Sequence, residues 1–154
     1  DFGQEREWSE ERELDWFSLQ DPYHAGMKAY VGELLKIYRK YRSLWEFDNS
    51  YEGFRWINAD DTDKSLYSFI RMNSTGKDSL VVVTNFTPIE RDDYRVGVPG
   101  PGKYTLLLNS DEKRFGGTGV EIPAEMKAEA KPWDGMPYSV GFRLPPFGAV
   151  ILKF

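Results

Sequence analysis

The chain has 154 residues, a length that suits one domain or one domain with an appendage. Its formal net charge of −5 argues against a nucleic-acid or anionic-membrane surface, because phosphate binding needs clustered Lys and Arg. Zero cysteines exclude disulfides and thiolate metal sites, which suits the cytosol, and 40% hydrophobic with 29% charged residues is ordinary for a folded soluble protein.

The chain opens, without a methionine, on Phe2-Gly3-Gln4-Glu5-Arg6-Glu7-Trp8, followed by Arg12-Glu13-Leu14-Asp15-Trp16. A Gly-containing turn with a Trp-rich acidic loop behind it reads as the continuation of a longer protein. No segment reads as a signal peptide, and no apolar run approaches the roughly 18–20 residues of a membrane span.

A helix is predicted from about Pro22 to Tyr41. Asp21 can cap it with a side-chain oxygen, and Pro22 fits the first turn because its missing N–H has no partner there. Met27, Tyr30, Val31, Leu34, Tyr38 and Tyr41 recur at three- and four-residue steps and form one apolar stripe, which needs a covering partner. Lys36, Arg39, Lys40 and Arg42 gather at the C-terminal end, where cations meet the favourable end of the helix dipole.

After Leu44-Trp45 the pattern turns to short β-rich runs. Strands are predicted at Phe54–Ile57, Ser65–Met72, Ser79–Phe86 and Tyr94–Val98, then at Lys103–Leu108, Gly119–Ile122, Tyr138–Leu144 and Ala149–Phe154. In the second run Leu66, Ser68, Ile70 and Met72 share one face, with Tyr67, Phe69 and Arg71 on the other, as in a strand covered on both sides. Leu80-Val81-Val82-Val83 reads as a central strand. Many short strands at regular spacing predict an antiparallel sandwich, with its boundary near Trp45–Tyr51.

Three features that mimic chemistry fail on their context. Gly97-Val98-Pro99-Gly100-Pro101-Gly102-Lys103 resembles a phosphate loop, but Tyr104 stands where Ser or Thr is needed, and the prolines remove backbone donors. It reads as a hairpin-like connection. Asp60-Asp61-Thr62-Asp63 lacks the Gly and Glu of a calcium loop, so a solvated turn is expected. His24 is the single histidine, which excludes a multi-His metal site within this chain, and it lies in the first turn of the predicted helix, where a structural role is expected.

A run of motifs carries a resemblance along the whole chain. The opening Phe2-Gly3-Gln4 turn and Glu7-Trp8 are followed by Leu14-Asp15-Trp16, His24-Ala25-Gly26, Glu52-Gly53-Phe54 and Trp56-Ile57-Asn58-Ala59-Asp60-Asp61. Further on come Asn85-Phe86-Thr87-Pro88, Leu108-Asn109-Ser110-Asp111, Gly116-Gly117-Thr118-Gly119 and Leu144-Pro145-Pro146-Phe147-Gly148-Ala149. Together they resemble the C-terminal part of bacterial-type glycogen branching enzymes, members of the α-amylase superfamily. The resemblance implies a mainly β fold: an antiparallel β-sandwich preceded by the last loop and helix of a truncated (β/α)₈ barrel. Residues 1–46 would be the barrel remnant and residues 47–154 the C-terminal sandwich.

It further implies that the parent enzyme forms α-1,6 branches by retaining transfer of a glucan chain, with no cofactor and no metal. Retaining enzymes of this kind use a carboxylate pair, and in the family these residues lie upstream, so no catalytic residue is expected here. Because barrel chemistry sits at the C-terminal ends of the strands, Gln4, Glu7, Trp8 and Trp16 are the candidate substrate-binding residues. An indole offers a sugar an apolar face, and an amide and a carboxylate can bind its hydroxyls. Packing of Trp8 and Trp16 against the barrel is the alternative.

The resemblance also implies barrel packing for His24, a cytoplasmic location, and α-glucan (glycogen or amylose) and the catalytic barrel as partners. Nucleic acid and membrane are not expected as partners, and self-association through the exposed helix is expected. Two other readings stand: a glucan-binding accessory module using Trp133, Tyr138 or Tyr51, and the tail of a different amylase-superfamily enzyme.

Overall fold

A computed structural model describes all 154 residues. The helix α1 runs Pro22–Lys40, with Tyr41 as its C-cap. Asp21 caps it as the sequence predicts, its carboxylate accepting the Tyr23 N–H at 2.8 Å. Eight strands follow: β1 (Phe54–Asp61), β2 (Leu66–Arg71), β3 (Leu80–Asn85), β4 (Arg91–Val98), β5 (Lys103–Asn109), β6 (Glu125–Lys127), β7 (Tyr138–Leu144) and β8 (Ala149–Lys153).

Six strands form one antiparallel sheet in the order β1-β2-β3-β8-β5-β6, and β4 pairs with β7 in a second. The β4–β5 connection at Pro99–Gly102 therefore passes from one sheet to the other. The expected hairpin is not formed there, although the segment is a turn entering a strand and not a phosphate loop.

Period-two alternation explains the apolar runs. Val81 and Val83 of β3, with Val150 and Leu152 of β8, face the second sheet, where they meet Val96, Val98, Val140, Phe142 and Leu144. Leu80, Val82 and Ile151 face the other way and pack with Leu108 under α1. The central strands are thus covered on both sides, by a sheet and by a helix, and can be apolar at every position.

The stripe of α1 is shifted from the one predicted. Ile37 and Tyr41 are its buried members, with Tyr30 and Leu34 packed beside them. Met27 and Tyr38 are each 43% exposed. Tyr38 sits at the rim and donates its phenol hydrogen to Asp48 at 2.9 Å. The sheet meets the side of the helix on which Ile37 falls, and Tyr38 is rotated about 100° away from it. Arg71 of β2 ties the helix end to the sheet, donating to the carbonyls of Ser43 at 3.3 Å and Leu44 at 2.9 Å and to Asp48 at 2.7 Å.

Gly119–Ile122 is not a strand. The Asp111 carboxylate accepts the backbone N–H groups of Thr118 (2.7 Å), Gly119 (2.9 Å) and Val120 (2.8 Å), together with the Thr118 hydroxyl (2.8 Å). Those donors are spent on one buried side chain and cannot enter a ladder. Gly117 lies so close that a Cβ there would stand 2.2 Å from the Asp111 carbonyl oxygen. The sheet edge forms instead at β6. Asn85 works similarly: its amide donates to the carbonyls of Ile89 and Pro145, both at 2.8 Å, and its oxygen receives the Thr87 N–H and hydroxyl. Two of the sequence motifs are therefore loop clips, with buried side chains standing in for missing ladder partners.

Candidate functional site

The segment before α1 folds back on the helix through a small set of contacts. Phe2 is buried, and its ring stacks on Trp16 with centroids 5.3 Å apart. Its carbonyl lies 2.8 Å from His24 Nδ1, which gives the single histidine the structural role expected of it, although toward this segment. The side chain of Arg6 donates through Nε to Asp15 at 2.9 Å and makes a second, bidentate contact through its terminal nitrogen. Asp15 is itself buried. Hydrogen bonding and charge from Arg6 hold the Asp15 carboxyl below the usual carboxylate range, and Asp15 raises Arg6 in return.

The four candidate residues divide into two pairs. Both ends of the Gln4 amide are engaged within the loop: Nε2 donates to the Arg6 carbonyl at 2.8 Å, and Oε1 accepts the Asp15 N–H at 3.2 Å. Trp16 is half-exposed but occupied, with Phe2 stacked on it and Lys28 Nζ 5.5 Å from its ring centroid. Glu7 and Trp8 project freely, Trp8 being 68% exposed. Of Glu7, only the carbonyl is used, accepting from Arg12 at 2.7 Å. Gln4 and Trp16 thus build the loop, and Glu7 and Trp8 are the side chains it displays. Sequence reading overlooked the Arg6–Asp15 clamp that makes this possible; two opposite charges nine residues apart in an irregular segment were the available signal.

Against the first turns of α1 lies an apolar groove of about 460 Å³, lined by Tyr23, Met27, Tyr30, Phe86, Phe115 and Phe147. Phe86 and Phe147 are both largely exposed. Elsewhere on the surface, Tyr51 and Trp133 are exposed, whereas Tyr138 packs against the core. No two of these three rings stack on each other. No helix is long and apolar enough to cross a membrane.

Comparison with known proteins places this architecture. Residues 56–154 match the family described as "Alpha amylase, C-terminal all-beta domain". The whole chain is 53% identical over 154 residues to a 1,4-alpha-glucan branching enzyme of Butyrivibrio fibrisolvens, covering 24% of that protein. Over 99% of its length it is 41% identical to the enzyme of that name from Aquifex aeolicus, and 44% identical to the one from Marinobacter nauticus. In each case the chain spans about a quarter of the relative. With its antiparallel sheets and an unbroken match from β1 to the last residue, the chain belongs to the family of alpha-amylase C-terminal all-beta domains.

Proposed function

We propose that this chain is the C-terminal part of a 1,4-α-glucan branching enzyme of the cytoplasm. In this reading residues 1–46 complete a catalytic barrel and residues 47–154 form the sandwich that buttresses it. The observation that carries it is the match of the entire chain, loop and helix included, to one quarter of several branching enzymes. The apolar groove beside α1 then docks the barrel, and Glu7 and Trp8 extend toward the glucan at its rim. Without the barrel a second copy of the chain covers this groove.

The reaction in this reading is a retaining transfer with no cofactor. A barrel carboxylate attacks the anomeric carbon of an α-1,4 linkage, and a second carboxyl gives its proton to the departing 4-oxygen. The 6-hydroxyl of an acceptor then displaces the first carboxylate and returns its proton to the second. The chain contributes position and substrate contacts, not these carboxyls.

The test is a chimaera in which this chain replaces the corresponding quarter of the Butyrivibrio relative. Formation of α-1,6 linkages from amylose, followed by proton NMR, is expected in the chimaera and not in the 154-residue chain alone. A folded chimaera without activity, or branching by the chain alone, refutes the assignment. In the active chimaera, Trp8→Ala is expected to raise KM for amylose several-fold, while Trp16→Ala acts through loop stability.

A further inference from the structure

A second concave surface lies where the edge strand β1 of the large sheet faces β4 of the small one. It is a cleft of about 560 Å³ walled by strand residues and by the turn that carries Trp133 and Asp134. That turn is closed by paired backbone hydrogen bonds between Trp133 and Met136, at 3.1 and 2.8 Å. The carboxylate of Asp134 straps the two sheets together: one oxygen accepts the Asn58 amide and the other the Gly97 N–H, both at 3.1 Å. Gly97 is required for this approach, since a Cβ there would stand 2.2 Å from the Trp133 carbonyl oxygen. The result is a tryptophan whose backbone is pinned while its ring remains 44% exposed, with Lys131 Nζ 5.8 Å from the centroid over one face and the other face left for a ligand. Past the ring, a second hollow of about 800 Å³ continues along β4, sharing Tyr94 and Arg95 with the first. Trp133 therefore stands beside a long groove built on strands, not on a mobile loop tip.

The floor of the cleft has polar atoms left without a hydrogen bond. Ser68 of β2 is 0% exposed, and its hydroxyl has only the Tyr94 phenol as a polar neighbour, without a hydrogen bond of normal geometry. The Nε of Arg91 is buried and unpaired. Unpaired buried polar groups are costly, and a native fold keeps few of them without a reason. Around the floor stand five carboxylates, those of Asp61, Glu90, Asp92, Asp93 and Asp134, and three cations, those of Lys64, Arg91 and Arg95. The acidic excess disfavours a phosphate, and the carboxylates form no cluster that could hold a metal ion. The array supplies donors and acceptors together, which is what hydroxyl groups require because each both donates and accepts. An indole face beside such an array matches the apolar face of a pyranose ring.

We propose that this cleft binds a short segment of α-glucan, with one glucosyl unit against Trp133 and its hydroxyls reaching the floor at Ser68 and Arg91. The polyhydroxyl character of the ligand follows from the cleft itself, and the α-glucan identity rests on the functional reading above. The cleft shares no residue with the loop that carries Glu7 and Trp8, so in this proposal it holds a chain of substrate while another part is at the active centre.

The experiment is an NMR titration of the isotope-labelled 154-residue chain with maltoheptaose, with cellohexaose as the β-linked comparison. Saturable shifts are expected at the Trp133 indole N–H and at the amides of Gly97 and Asp134. Trp133→Ala is expected to weaken binding at least ten-fold, Trp133→Phe to retain most of it, and Ser68→Ala to weaken it several-fold. Trp133 is a half-exposed surface residue, so its variants are expected to remain folded. Shifts confined to other residues, unchanged affinity in Trp133→Ala, or no saturable shift each overturn the site. Equal binding of cellohexaose overturns its assignment to α-glucan. None of these results bears on branching by the chimaera, so the two readings fail separately.

Discussion

The loop before α1 and the sandwich behind it are both dense in sequence motifs, but they use their polar residues in opposite ways. In the sandwich, Asn85 and Asp111 are buried and fully engaged, each holding a loop whose backbone has left the ladder. In the loop, one charge pair and one aromatic stack hold the backbone, and Glu7 and Trp8 are left free. A polar residue surrounded by backbone donors serves architecture. One that projects from a locally braced turn is available for a ligand. The comparison also separates stabilities: the sandwich core is shared among many strands, whereas the loop rests on a few contacts near its own ends.

The largest expected effect comes from the core. Leu152→Ala empties a fully buried position in the central strand and should cost about 2–5 kcal/mol, read by urea unfolding. Asp111→Ala deprives three backbone N–H groups and a hydroxyl of one acceptor. It is expected to cost about 3 kcal/mol. A melting temperature unchanged in Asp111→Ala would show that water replaces the carboxylate and that the loop is not clipped by it. Ile37→Ala tests the helix contact and should cost about 2–4 kcal/mol. Met27→Ala, half-exposed on the same helix, should stay within about 0.5 kcal/mol. Equal losses at both positions would restore the stripe read from the sequence.

The smallest effect on global stability, and the sharpest for the comparison, is acid release of the loop. Asp15 has a folded pKa depressed by Arg6, so its ion pair stabilises the loop above the usual carboxylate range. That contribution is lost as pH falls through the lowered value. Amide exchange in residues 2–16 is expected to accelerate in acid before the sandwich is affected, and Arg6→Ala should produce the same acceleration at neutral pH. Uniform protection of loop and sandwich down to global unfolding would show that the two form one cooperative unit.

Much of the architecture was legible because it depends on local pattern. Asp21 and Pro22 mark the start of α1, alternation marks β2, and the run Leu80–Val83 marks a strand covered on both faces. That Gln4, Glu7, Trp8 and Trp16 share one segment before α1 was also legible. Their division into Gln4 and Trp16, which build the loop, and Glu7 and Trp8, which project from it, was not. It depends on Arg6 meeting Asp15 and Phe2 meeting Trp16 across a turn.

Residue order alone determined the helix, seven of the eight strands and the interruption of each by Gly, Pro or Asp-rich turns, because propensity and hydrophobic period act over a few neighbours. Only the tertiary structure decided that β8 enters between β3 and β5, that Ile37 and not Tyr38 faces the sheet, and that Gly119–Ile122 gives its N–H groups to Asp111. It also decided that Ser68 lies unpaired beneath a cleft formed with Asp134, 66 residues further along. Each of these is a competition among partners distant in sequence, settled by which pairing buries apolar surface while leaving the fewest backbone groups without a hydrogen bond.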